Sequence, residues 1–187
     1  TGTTSITSVS ISHGNEKLQN YFSYANTTGK GLIEKNNLSK HNLNFRETST
    51  MFNGRFKLDG NLNAMHQEIK NKPVAGGFYM NPLVGLYRFP RGEDISYYRD
   101  NFEVFDTERK MNVQNWHSSY EDFEQNPYWI INRIQSKDLR FRMILSLSAS
   151  LKVNDFLSFQ VRGNIDFISD KLRQTFYAST APALCGA

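Results

Sequence analysis

The stretch LRFRMILSLSASLKVNDFLSFQVRGNIDF, residues 139–167, decides the fold. Leu139, Phe141, Met143, Leu145, Leu147, Ala149 and Leu151 share one parity. Arg140, Arg142, Ser146, Ser148 and Ser150 share the other, with Ile144 the exception. Side chains alternate across a strand, so the segment is extended, with one apolar and one polar face. Lys152-Val153-Asn154-Asp155 reads as a tight connection. Beyond it Leu157, Phe159, Val161, Ile165 and Phe167 alternate with Ser158, Gln160, Arg162, Asn164 and Asp166. Two long alternating runs joined by a short turn make a hairpin.

The same pattern recurs upstream. From Arg55 to His66, Phe56, Leu58, Leu62 and Ala64 oppose Arg55, Lys57, Asp59, Asn61 and Asn63. A helix would group Phe56 with Asp59, Gly60 and Asn63, which is not an apolar face. Val9 and Ile11 alternate with serines, Gly14-Asn15-Glu16-Lys17 turns the chain, and Leu18, Phe22 and Tyr24 share a face broken by Asn20. Leu43 and Phe45 alternate with Asn42, Asn44 and Arg46, and Met51-Phe52-Asn53-Gly54 is the next turn. About six long strands are expected, with the start of another near Arg173 to Ala178. The connections at 14–17, 51–54 and 152–155 read as short, those at 29–40 and 70–137 as long. Long strands with short turns on one rim and long loops on the other fit an outer-membrane barrel. Soluble sandwiches and lipocalin-like barrels alternate as well, with the polar parity outward, and alternation alone does not say which face is wet.

Composition narrows the classes. The chain has 187 residues, 39% hydrophobic and 21% charged, with 14 Phe and 9 Tyr. Disordered chains are poor in aromatics. The net charge is +4 with basic residues scattered, so no nucleic-acid footprint is expected. Cys185 is the single cysteine and has no partner for an internal disulfide. His13, His41, His66 and His117 are widely spaced and form no metal motif. The chain opens on Thr1-Gly2-Thr3-Thr4 without a leader pattern or initiator Met, which reads as a processed product or an excised piece. No apolar run is long enough for a transmembrane helix.

Residues 70–137 hold 13 of the 25 aromatic residues, among them Phe78, Tyr79, Tyr87, Phe89, Trp116, Tyr128 and Trp129. Turn signals punctuate the segment: Lys72-Pro73, Gly76-Gly77, Asn81-Pro82, Pro90-Arg91-Gly92 and Asn126-Pro127. So many large apolar surfaces imply an ordered element, folded on itself or packed on a neighbour. No catalytic constellation emerges. Asp94, Asp100, Glu103, Asp106 and Glu108 lack glycosidase or calcium-loop spacing. Ser118-Ser119 has no evident base, and Gly29-Lys30-Gly31 lacks a full phosphate-loop pattern. An enzymatic role and a cofactor are not expected.

NPLVGLYRFPRG (81–92), YEDFEQNPYWIINR (120–133), Val113-Gln114-Asn115-Trp116, SHGNEKLQNYFSYANTTGKGLI (12–33) and the final hairpin resemble segments of SusC/RagA-type, TonB-linked outer-membrane receptors. The resemblance implies an all-β, antiparallel transmembrane β-barrel segment, part of a barrel of about 22 strands whose plug lies outside this chain. It implies import of oligosaccharides or oligopeptides, a SusD-like surface lipoprotein as lid, the TonB complex as energy source and outer-membrane lipid around the barrel. Loops 29–40 and 70–137 would be extracellular. Tyr87, Arg88, Phe89, Arg91, Trp116, Tyr128 and Trp129 are the candidate loop anchors or contacts to partner and substrate. The alternative is a soluble all-β binding or adhesion domain with its apolar parity buried between sheets.

Overall fold

The computed structural model describes residues 1–74, 80–118 and 124–180. Its elements run β1 (Thr3–Gly14), β2 (Leu18–Lys30), β3 (Asn37–Met51), β4 (Phe56–Lys70), α1 (Pro82–Arg88), α2 (Ile95–Asp100), β5 (Glu103–Asp106), β6 (Met111–Gln114), α3 (Pro127–Arg133), β7 (Gln135–Lys152) and β8 (Ser158–Thr175). Six strands form one sheet in the order β1-β2-β3-β4-β7-β8, and β5 pairs with β6 in a separate two-stranded sheet. The chain divides into two units. The first is Thr1–Lys30, Asn37–Ile69 and Asp138–Lys171; the second is Gly31–Asn36, Lys70–Lys137 and Leu172–Ala187.

In the first unit the register is continuous. β1 pairs antiparallel with β2 from Thr3↔Lys30 to Gly14↔Gln19, and β2 with β3 from Leu18↔Ser49 to Lys30↔Asn37. The turns are built by local chemistry. Asn15 Oδ1 accepts from the backbone N–H of Lys17 at 2.8 Å and of Leu18 at 2.9 Å, an Asx arrangement that reverses the chain. Between β3 and β4, Phe52, Asn53 and Gly54 all sit at positive φ (54°, 54° and 86°). Gly54 takes that conformation at no steric cost and Asn53 tolerates it, whereas Phe52 is strained there. Between β2 and β3 a Cβ at Gly31 would lie 1.9 Å from Asn36 Oδ1, so glycine lets the amide fold over the chain.

Several expectations are corrected here. The connection expected at 29–40 is only residues 31–36, because Thr27, Thr28 and Gly29 pair with Lys40, Ser39 and Leu38. Backbone pairing extends through this polar run, to which the β-branched Thr27 and Thr28 are suited, despite Gly29. Asn20, which breaks the apolar parity of β2, faces Glu47 directly in the ladder. Arg173 continues β8 to Thr175, so no further strand starts there. The sheet is open, with β1 and β8 as its two edges, and helices α1–α3 lie in the long connection. The fold is therefore mixed α/β and not an all-β transmembrane barrel segment. Among the described residues no helix is long and apolar enough to cross a membrane. The alternative is corrected in part as well. The apolar parity is not buried between two sheets: Ile11 is 63% exposed, Val161 73% and Ile165 61%. Phe78, Tyr79, Gly76-Gly77, Ser119 and Cys185 lie outside the described residues.

The second unit has a small core of its own. Trp129, Ile130 and Ile134 are buried, with Met80, Phe102 and Phe176 packed against them. Two helices open on the same Asn-Pro device. Asn81 Oδ1 accepts from Leu83 N–H and Asn126 Oδ1 from Tyr128 N–H, while the following proline occupies a position that needs no donor. Gly85 on α1 lies so close to the start of α3 that a Cβ would sit 2.5 Å from the Gln125 carbonyl oxygen and 3.2 Å from Pro127 Cδ. The neighbouring atoms are backbone and a proline ring, which cannot rotate away. We predict that Gly85→Ala lowers stability by about 1–3 kcal/mol in denaturant unfolding. Gly92→Ala, where a Cβ meets nothing within 4 Å, is neutral or slightly stabilising. Equal midpoints for the two variants would contradict this packing.

Candidate functional site

The first unit holds a hollow of about 1360 Å³ lined from all six strands of the large sheet, largely by the polar parity. Ser12 and His13 come from β1, Gln19, Asn20 and Tyr21 from β2, Asn44, Arg46 and Thr48 from β3, and Lys57, Asp59 and Asn61 from β4. Ser146, Leu147, Ser148 and Ser150 of β7 and Gln160, Arg162 and Asn164 of β8 line it as well, with Gly14 and Asn15 at the β1–β2 turn. Cross-strand bonds hold its floor. Asn44 Nδ2 donates to Asn61 Oδ1 at 3.2 Å, and Gln160 Nε2 to Ser148 Oγ at 3.2 Å. Asp59 Oδ2 accepts from Thr48 Oγ1 at 2.7 Å and from Arg46 Nη2 at 2.8 Å and Nε at 3.1 Å. These bonds, the Thr48 hydroxyl foremost and the Arg46 guanidinium next, hold the Asp59 carboxyl below its ordinary pKa. Beyond the hollow, Arg142 and Arg140 make two-point bonds to Asp166 and Asp170.

A smaller polar group stands on the opposite parity. His41 Nδ1 lies 2.7 Å from Tyr24 Oη and 3.1 Å from Asn26 Nδ2, and its Nε2 lies 3.3 Å from Ser39 Oγ. An amide nitrogen only donates, so Nδ1 accepts and Nε2 carries the hydrogen toward Ser39. The His66 ring is 6.4 Å away. No group of three or more metal-ligating side chains is present among the described residues.

The seven candidates from the long connection separate into distinct settings in the second unit. Phe89, just past α1, packs on Trp116 at 5.4 Å, His117 at 5.3 Å and Tyr98 at 5.7 Å between ring centroids. Trp116 Nε1 donates to Glu124 Oε1 at 3.2 Å, His117 Nε2 lies 3.2 Å from the same oxygen, and Arg88 Nε stands 3.4 Å from Oε2. Glu124 is buried, with its side chain 3% exposed. Burial and the nearby Glu93 carboxylate push the Tyr98 hydroxyl above its ordinary pKa. Trp129 is fully buried in the other cluster; its Nε1 donates to Thr180 Oγ1 at 3.2 Å and its ring meets Tyr177 edge-on at 5.7 Å. Tyr128 is half-buried, with its carbonyl accepting from Asn132 Nδ2. Tyr87 and Arg91 are exposed. Phe89, Arg88 and Trp116 are thus brought together around Glu124, Trp129 packs elsewhere, and Tyr87 and Arg91 join neither cluster.

Two residues that organise the unit escaped the sequence reading. Glu124 gave no signal, because nothing in its neighbourhood marks it for burial. Asn126 registered only as half of a turn dipeptide. It is fully buried, and its Nδ2 donates to the carbonyls of Tyr98 at 3.0 Å and Asn115 at 2.7 Å while Oδ1 caps α3. Its position directly before a proline was the available signal for a cap.

A scan against protein-family models finds no family that matches, and a search of curated proteins finds no match either. The SusC/RagA resemblance therefore has no support from either comparison, and the open sheet with helices in its long connection removes the fold it implied. The reading as a TonB-linked outer-membrane transporter with extracellular loops at 29–40 and 70–137 is withdrawn.

The geometry of Asp59 predicts a pH response. Its folded pKa lies below the unfolded value of about 3.9. The stabilisation is thus complete above that value and is lost as pH falls through the folded pKa. Thr48→Val removes the largest cause and keeps Arg46. We expect the Asp59 carboxyl in that variant to titrate at higher pH in a carbon-detected NMR titration, with acid unfolding starting at correspondingly higher pH. An unchanged titration would show that the hydroxyl bond does not set the shift.

Proposed function

We propose that the chain is a non-catalytic binding module that holds a hydroxyl-rich ligand, an oligosaccharide, against the polar parity of its large sheet. The hollow carries this reading. At about 1360 Å³ it exceeds the roughly 300–1,000 Å³ of a typical small-molecule pocket, which suits an oligomer rather than a single small metabolite. Its lining is dominated by Asn, Gln and Ser. Amides and hydroxyls donate and accept at once, and so do sugar hydroxyls, so each ligand group finds a partner whichever way it points. The side chains stand on paired strands, which keeps them in place before the ligand arrives and lowers the ordering cost of binding.

An oligopeptide is the second ligand class that a polar sheet surface serves. Specific peptide recognition adds a strand to a sheet edge or seats side chains in separate pockets. The hollow instead spans the face of the sheet, with Tyr21 as the one Phe, Trp or Tyr among its described lining residues. That arrangement favours the saccharide.

The test is a panel of neutral and acidic hexasaccharides titrated into the isotope-labelled chain, read by amide chemical shifts. Shifts confined to the lining strands, with affinity falling several-fold in Gln160→Ala and Asn164→Ala, are the expected result. A panel that moves no resonance of the hollow, or binding indifferent to both substitutions, would reject the reading.

A further inference from the structure

We infer that the ligand of the hollow is anionic, a saccharide bearing carboxylate or sulfate groups, and that Arg162 with Lys57 recognises its charge. The inference rests on the binding role proposed above. The charge pattern of the polar parity carries it. Arg46, Lys57 and Arg162 line the hollow with one carboxylate, Asp59, among them. That carboxylate is engaged by Arg46 and Thr48. Lys57 acts on Asp59 only through its field and forms no ion pair with it. Arg162 forms no ion pair among the described residues. The contrast with the neighbouring arginines is informative. Arg140 and Arg142, outside the hollow, are each matched by an aspartate on β8, at 2.7 Å and 2.6 Å. Arg46, Arg140 and Arg142 each meet an aspartate, whereas Arg162 and Lys57 stand in the hollow without an ion pair among the described residues, where there is room for a ligand. A guanidinium set among neutral amides offers a two-point hydrogen bond to a planar carboxylate or to two oxygens of a sulfate. Gln160 and Asn164, two residues to either side of Arg162 on the same strand, share its parity and supply the uncharged partners for adjoining hydroxyls.

The test compares ligands that differ only in charge, at physiological salt, by isothermal titration calorimetry. A hexamer of galacturonic acid is set against its fully methyl-esterified form, and dextran sulfate fragments against dextran of equal length. The acidic member of at least one pair should bind about tenfold more tightly than its neutral form. Arg162→Gln should bring the acidic-to-neutral affinity ratio down to about one, Lys57→Gln should reduce that ratio several-fold, and Lys110→Gln, which removes the same charge from the β5–β6 hairpin, should leave the ratio as it is. Which pair discriminates identifies the anion as carboxylate or sulfate. Equal affinity within both pairs overturns the anionic assignment while the saccharide-binding reading stands. An equal loss in Lys110→Gln and Arg162→Gln assigns the preference to net charge and also overturns it. Absence of binding by every member, neutral and acidic, removes both readings together.

Discussion

Everything on the large sheet depends on its register. The side-chain period of a strand is two, so a slip by one residue would carry every side chain to the other face. Pairing runs without interruption along both β1–β2 and β2–β3. As a result Phe22 stands opposite Ile11 on one side and Phe45 on the other, and Asn44 meets Asn61 across the next strand pair. A slipped register would mix the two sets and dissolve the hollow. The turns that prevent it are short and chemically specific: the Asx turn at Asn15, the glycine at position 31 beneath Asn36, and the left-handed run ending at Gly54.

Given that register, the polar parity is organised by cross-strand bonds rather than by burial. Arg46–Asp59, Arg142–Asp166 and Arg140–Asp170 are all partly exposed. Exposed pairs of this kind contribute on the order of 0–1 kcal/mol each. Their main effect is positional: each fixes two long side chains and sets which charges are neutralised and which are left open. The stability of the sheet therefore rests on the backbone ladder rather than on these pairs.

The second unit is organised by buried polar groups. Asn126 joins the end of α2, the end of β6 and the start of α3 through one side-chain amide. Glu124 collects Trp116, His117 and Arg88. A buried polar group is costly unless satisfied, so each such residue specifies its neighbours more narrowly than an apolar contact does. Part of the aromatic richness of residues 70–137 is thereby accounted for: Phe89, Tyr98 and Trp116 pack around one of these groups, and Trp129 packs on Tyr177 in the other cluster.

The sequence by itself determined the long extended segments, their hairpin turns and which side chains share a face, because period-two alternation and turn chemistry are local properties. It also marked the aromatic-rich connection as ordered, since that much apolar surface is not left in water. The tertiary structure decided the rest. Whether the sheet closes depends on which strands pair at its edges, and a parity pattern is the same for a barrel, a sandwich and an open sheet. The helices of the connection are six or seven residues long, too short to show a period, and they are set by caps and packing instead. The hollow joins residues as far apart in sequence as Ser12 and Asn164, and the ion pairs that leave Arg162 open arise only when β7 and β8 lie side by side. Such relations depend on distance in space, which spacing along the chain does not encode.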